Sequence, residues 1–369
     1  MPHECRGPSP RCADIDWARG VAVIIMIQAH VLDRWTPVAT HASLLYRRLD
    51  IVNGFAAPLF LWLAGISLAF AGESALRRTG SRRAAWHLVV CRGLEVFILA
   101  FLFRLQSYFF NPGGEPIALF RVDILNVLGL AIALAGLTWG IASRRSAQIV
   151  ALATAASLIA LVTPIVTSAA WVDRLPTWFQ WYLRRAGEHT VFTLFPWAGF
   201  TFGGAAVGSL LAACPHASAR DRLQTALALS GLSLVVLGFY AATLPSIYGH
   251  SRFWTTSPTF FVVRVGLLLL LGSGLYALAA AARPRQFACG PLLQLGRSSL
   301  FVYWIHVPLV YGWVSWPLHH RLTVWQALAA VGLVSLTMYA LVDLRDRLLT
   351  AWSGRRMERP VSGGEAAAV

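Results

Sequence analysis

Two histidines near the start of the chain, His30 and His41, belong to the one residue type that exchanges a proton close to neutral pH without help. His30 stands in the last turn of the apolar run WARGVAVIIMIQAHVLDRW (17–35), with Asp33 one helical turn further on, and His41 follows in the next loop. Ionisable groups at membrane depth are costly and mark functional sites by default. Arg121, Asp123 and Asn126 open a later apolar segment, with Asp123 and Asn126 on one helical face. Arg264 lies about a turn inside another, and His306 sits midway along LGRSSLFVYWIHVPLVYG. Packed together, these residues would line a polar cavity near one end of a helical bundle, where a histidine acts as base or acid. Each also has a quieter reading. Arg121 and Arg264 snorkel to headgroups, His306 hydrogen-bonds in helix packing, Asp16 with Arg19 caps and anchors a helix, and Arg92 with Glu95 forms a buried structural pair. The sequence has no Ser-His-Asp spacing, no HExxH and no phosphate-binding glycine loop, and no metal is expected. The residues alone therefore leave two classes open: an enzyme or a transporter using intramembrane histidines.

The elements that must position them are membrane spans. The chain is 57% hydrophobic and 13% charged, against about 45–50% and about 25% for soluble domains. Apolar segments at 17–34, 52–72, 87–104, 123–141, 148–171, 193–213, 224–244, 259–281, 297–316 and 323–343 are each about long enough to cross a bilayer. The expectation is an all-α polytopic integral membrane protein, about ten transmembrane helices in one bundle over 1–352, with a disordered cytoplasmic tail at 353–369. Asp14, Asp16 and His30 interrupt any signal-peptide pattern, so the first span is expected to stay uncleaved. Residues 173–196, rich in tryptophan and arginine, suit an interfacial helix.

All 31 basic residues are arginine, and the net charge is +15. Arg77, Arg78, Arg82, Arg83, Arg144, Arg145, Arg220 and Arg222 fall in loops on one side, joined by Arg345 and Arg347 of the tail. The positive-inside rule puts that side, and both termini, in the cytoplasm. Arg47, Arg48, Arg184 and Arg185 weaken the contrast from the other side. No basic domain stands apart from the spans, so nucleic acid is not an expected partner. Cys5, Cys12, Cys91, Cys214 and Cys289 all lie on the cytoplasmic side, where thiols stay reduced.

The opening RCADIDWARGVAVIIMIQAHVLDRW resembles the start of the heparan-α-glucosaminide N-acetyltransferase catalytic family, particularly its bacterial members. APLFLWLAGISLAFA at 57–71, RVDILNVLGLA at 121–131, FPWAGFTFGGAAVGSLL at 195–211 and LGRSSLFVYWIHVPLVYG at 295–312 carry the resemblance from about residue 11 to 312. It implies transfer of an acetyl group from cytoplasmic acetyl-CoA to an amine or hydroxyl of a glycan on the far side of a bacterial inner membrane. In the lysosomal enzymes an active-site histidine lies in the loop after the first catalytic-domain span, and His41 best matches it. An asparagine at the end of that span is also implicated there; His30 occupies its place, a departure from the eukaryotic pattern.

On this reading His41 is the general base, His30 assists or orients it, and Asn126 or Arg121 supplies polar surroundings. His306 lines a channel for the pantetheine arm, and Arg297 meets the CoA phosphates. The expected partners are acetyl-CoA, a glycan or amino-sugar acceptor and the bilayer, with a homodimer as an option. The alternative is a proton-coupled transporter or flippase for a small anion or lipid-linked sugar using the same cavity.

Overall fold

The computed structural model describes residues 13–110, 115–187, 190–214, 216–282 and 290–357, with the backbone alone for 353–357. Cys5, Cys12 and Cys289 lie outside the described residues. Thirteen α-helices are described: α1 Ala13–Trp35, α2 Leu44–Asn53, α3 Ala56–Thr79, α4 Arg82–Phe110, α5 Ile124–Ile141, α6 Arg145–Ser168, α7 Thr177–Leu183, α8 Leu194–Ala212, α9 Ala217–Thr243, α10 Pro258–Ala282, α11 Gly290–Arg297, α12 Ser299–Tyr311 and α13 Val324–Met357. Among the described residues the remaining β structure is one isolated bridge, Val122 to Thr190. The chain is an all-α polytopic membrane protein, with 8 helical stretches among the described residues long and apolar enough to cross a bilayer.

The ten expected spans correspond to those stretches plus two elements of different character. α4 has 29 residues but carries Arg82, Arg83, Arg92, Glu95 and Arg104 along its length. The expected span at 297–316 is broken: α11 ends at Arg297, Ser298 leaves the helical region (φ −109°, ψ 19°), and α12 has only 13 residues. α2, expected as loop and span entrance, is a separate short helix ahead of α3. α7 falls inside the stretch read as interfacial, 173–196, and the 3₁₀ turn Ala170–Arg174 before it straddles the start of that stretch. α13 runs through Met357, past the Ser353 where the tail was expected to begin, and 358–369 lie outside the described residues.

Two packing relationships position the site. Ile27, Val31 and Leu32 of α1 share a core cluster with Val302 and Val310 of α12 and Val331, Val334 and Met338 of α13. That cluster holds the last turns of α1 against α12, the two helices that carry His30 and His306. α4 and α5 approach closely because each offers a glycine. A Cβ on Gly93 would lie 2.5 Å from the Ala133 amide, and one on Gly129 would collide with that of Phe97, so neither position tolerates a side chain. α5 starts where Asp123 caps it: its side chain accepts from the Ile124 amide at 2.7 Å while Asn126 Oδ1 accepts from the Asp123 amide at 3.0 Å.

Arg92 and Glu95 are not buried. Their side chains are 77% and 62% exposed on the outer face of α4, 3.7 Å apart. The i, i+3 spacing is that of a pair, but it points away from the bundle.

Candidate active site

The ends of α1, α4 and α12 and the starts of α3 and α5, with α2 beside them, enclose a cavity of about 550 Å³. Its wall carries His30, Asp33, Arg121 and Asp123, four of the residues expected from the sequence to meet. Around them stand Arg104, Asp50, Asn53, Tyr46, Tyr303 and Tyr311.

His30 is the wall residue whose hydrogen bonding fixes a chemical state. Its Nδ1 lies 2.9 Å from His306 Nε2, and the two rings are within 7° of parallel. His306 is fully buried, and its Nδ1 lies 2.8 Å from the Val302 carbonyl oxygen. A carbonyl only accepts, so His306 Nδ1 carries the proton, and neutral His306 offers the lone pair of Nε2. His30 Nδ1 must then donate, and in neutral His30 the unprotonated nitrogen is Nε2. The chain Val302 carbonyl, His306, His30 thus sets the tautomer of His30 from behind, as a second-layer acceptor does for a catalytic imidazole.

The neighbouring groups hold this arrangement. Tyr311 stands edge-on to the His30 ring, with centroids 5.5 Å apart, and its hydroxyl donates to Asp33 Oδ2 at 2.9 Å. Tyr303 packs edge-on to His306 and donates to Asp123 Oδ2 at 3.4 Å. Arg104 forms an ion pair with Asp123, both side chains largely buried. Gln28 donates to Asn53 Oδ1 at 2.9 Å. Arg121 also faces the cavity, and its buried Nε has no hydrogen-bond partner among the described residues.

The other expected residues back this wall or lie away from it. His41 sits in the 3₁₀ turn Val38–Ala42, with its ring stacked at 4.1 Å on Tyr46, a wall residue. Its Nε2 is 3.3 Å from Thr36 Oγ1. That hydroxyl donates to the Leu32 carbonyl at 2.7 Å, so His41 Nε2 is the donor and Nδ1 its free base. Asn126 caps α5 through its Oδ1 and its side chain also hydrogen-bonds Tyr182. Arg264 stands behind Gly54, with its guanidinium 4.2 Å from the Phe260 ring centroid and 5.5 Å from that of Trp197. Arg297 is at the opposite end of the bundle, where it donates to Asp16 Oδ2 at 3.1 Å; Arg19 holds the other oxygen at 3.0 Å. Asp14 and Arg220 add a second ion pair there at 2.8 Å. Among the described residues there is no group of three or more His, Cys, Asp or Glu side chains that would hold a metal ion.

Sequence reading missed Arg104 and the tyrosines. Arg104 looked like a span end, and its pairing with Asp123 is visible only once α4 and α5 are antiparallel. Tyr303 and Tyr311 bracket His306 at i−3 and i+5, which reads as ordinary span aromatics. Asp50 and Asn53 did carry a signal, an acid and an amide three residues apart beside an apolar run.

A polar cavity at one end of α1, walled by helices that recur in order along the chain, is the part of the molecule to compare with known proteins. Residues 11–245 match the family described as heparan-alpha-glucosaminide N-acetyltransferase, catalytic. The chain belongs to that family. No curated protein matches it significantly. Membership gives the protein a membrane acetyltransferase type of function. The family match carries α1 with His30 and Asp33, and α5 with its Asp123 cap, whereas α12 with His306, Tyr303 and Tyr311 lies beyond it.

Proposed function

We propose that the protein moves an acetyl group from cytoplasmic acetyl-CoA to an amine or hydroxyl of a glycan on the outer side of the membrane, with His30 as the general base. The observation that carries this reading is the hydrogen-bond chain that leaves His30 Nε2 unprotonated in the wall of a polar cavity. Sequence alone favoured His41 as base. The chain through His306 supports the reverse order, with His41 as a second base next to Tyr46.

The chemistry follows. His30 Nε2 takes the proton from the acceptor's amine or hydroxyl as that atom attacks the thioester carbonyl. The new C–N or C–O bond forms and the C–S bond breaks. The imidazolium then returns its proton to the departing thiolate. His306 steadies the imidazolium by keeping its Nε2 lone pair on His30 Nδ1–H. The oxyanion that develops on the carbonyl needs donors fixed in advance, and Arg121, a cation in the cavity wall, is the group we assign to it.

The positive-inside distribution supports a cytoplasmic Asp16 end and an outward-facing cavity in a bacterial inner membrane. The run along α1 from Asp16 to His30 rises roughly 21 Å at about 1.5 Å per residue. A donor entering from the cytoplasm must therefore send its acyl arm most of the way across. Arg297, with its side chain 44% exposed, is the cation we assign to CoA phosphate at the mouth.

The test is purified protein in liposomes, given labelled acetyl-CoA outside and envelope glycans or amino sugars as acceptors. Label in the acceptor supports the reading. Absence of CoA binding, with counterflow of an uncharged sugar instead, overturns it in favour of a transporter.

A further inference from the structure

Arg264 is a charge inside a membrane helix with no counter-charge beside it. It stands roughly 9 Å beyond Pro258 along α10, at about 1.5 Å per residue. A snorkelling arginine lays its stem on apolar surface and keeps its head in water. Here the Nε is buried without a hydrogen-bond partner among the described residues. The guanidinium lies 4.2 Å from the Phe260 ring centroid and 5.5 Å from that of Trp197. Rings attract a cation but carry no opposite charge. An ionisable group held this way within a span marks a functional site whose partner has to be named.

The guanidinium stands at the edge of the cavity. One Nη is 3.6 Å from the position a Cβ would take on Gly54, and Gly54 belongs to the cavity wall. Trp197 in turn packs edge-on against Phe192, another wall residue, at 4.9 Å. α2 runs outward from this corner and differs in character around its circumference. Tyr46, Asp50 and Asn53, at steps of four and three, line the cavity. Leu44, Ile51 and Val52 are exposed on the opposite side. Arg47 lies on the flank between, exposed and in line with Gly54 two turns further on. Neither Arg47 nor Arg264 forms an ion pair among the described residues. Going round α2, a polar face for a sugar is followed by cations for an anion and then by an aliphatic surface for hydrocarbon.

We propose that the acceptor glycan reaches the cavity joined to a lipid through a phosphate ester. Arg264 and Arg47 hold the phosphate at the flank of α2, and the lipid chain lies on Leu44, Ile51 and Val52. A guanidinium with its faces on rings keeps its N–H edge for a phosphate, which it matches bidentately. Two unpaired cations beside an aliphatic face select an anionic amphiphile. Continuity with the cavity selects one that carries a sugar, an assignment that rests on the glycan reading given above.

The experiment uses the full chain in phosphatidylcholine nanodiscs and three probes. They are glucosamine joined through a phosphodiester to a long alkyl chain, glucosamine 1-phosphate, and phosphatidylglycerol. Wild type should bind the alkyl-linked sugar more tightly than the soluble sugar phosphate, and phosphatidylglycerol should not displace it at equal concentration. Arg264→Gln and Arg47→Gln should each weaken the alkyl-linked probe by roughly tenfold, the scale of one lost charge-assisted hydrogen bond. Thermal unfolding checks that each variant is folded; if Arg264→Gln is not, the exposed Arg47 decides alone. Equal affinity for the alkyl-linked and soluble probes overturns the proposal. So does full displacement by phosphatidylglycerol, which would make this an ordinary phospholipid site, or unchanged binding in folded variants. Labelled acetyl-CoA added to the same discs separates the two readings. Arginine-dependent binding without transfer keeps the lipid-linked ligand and overturns acyl transfer. Transfer to the soluble sugar as fast as to the alkyl-linked one keeps acyl transfer and overturns the lipid-linked acceptor.

Discussion

His30 Nδ1 and His306 Nε2 share a hydrogen bond of 2.9 Å across 276 residues of sequence. The bond makes α12 a working part of a site whose other residues come from α1 to α5. It also gives His306 a testable role distinct from that of His30. His306→Phe should lower acetyl transfer while leaving acceptor KM little changed, because it removes the acceptor that fixes the His30 tautomer. His306→Gln should recover part of the rate, since an amide oxygen accepts from His30 Nδ1 while its nitrogen donates to Val302. Equal loss in both variants, or no loss in either, would count against the relay. The readout is the rate in proteoliposomes and its split between kcat and KM.

Arg121 is assigned to the developing oxyanion, so its effect should fall on the chemical step. Arg121→Leu is expected to reduce kcat by roughly 10²–10³, as for loss of a single oxyanion donor, with a small change in KM. Steady-state kinetics with saturating acetyl-CoA checks this. A change confined to KM would make Arg121 a binding group instead.

Arg104 and Asp123 form a mostly buried ion pair. Removing one partner leaves the other charge uncompensated, which costs roughly 3–5 kcal/mol. Arg104→Met alone should therefore lower the unfolding temperature more than the double variant Arg104→Met with Asp123→Asn. Thermal unfolding in detergent distinguishes the two. Additive losses would show that the pair is not coupled.

The loop between α12 and α13 should make stability depend on pH. His319 is buried there, and its burial, followed by the nearby Arg34 charge, lowers its pKa from the ordinary 6.5. At pH above 6.5 both folded and unfolded forms are neutral, so the residue exacts no penalty. As pH falls below 6.5 the unfolded chain takes up the proton first, and the folded state loses stability until the lower folded pKa is reached. The unfolding temperature should drop between pH 7.5 and 5.5, and His319→Gln should reduce that drop. An unchanged pH profile in the variant would remove His319 from the account.

Much of this site was legible in the sequence because membrane depth makes polar residues conspicuous. His30, Asp33, Arg121, Asp123 and His306 were all picked out as costly where they stand, and the fold sets the first four in one cavity wall with His306 directly behind. What the sequence did not resolve was rotation and pairing. Whether His30 or His41 faces the cavity depends on how α1 ends and how the Val38–Ala42 turn folds over Tyr46, neither of which leaves a periodic trace. Arg104 could not be matched to Asp123 without the α4–α5 contact at Gly93 and Gly129. The spacing of Arg92 and Glu95 fits a buried pair, but spacing says nothing about which way the face turns, and both side chains are exposed. The break at Ser298 was hidden by the unbroken apolar pattern on either side of it.

His30, held by His306, is the proposed base. Its most direct test is single-turnover transfer from labelled acetyl-CoA by wild type, His30→Ala and His41→Ala in the same liposomes. His30→Ala should lower transfer by roughly 10²–10⁴, the usual contribution of a positioned base, with His41→Ala well above it. Near-wild-type transfer by His30→Ala beside an inactive His41→Ala would contradict it and return the base to His41.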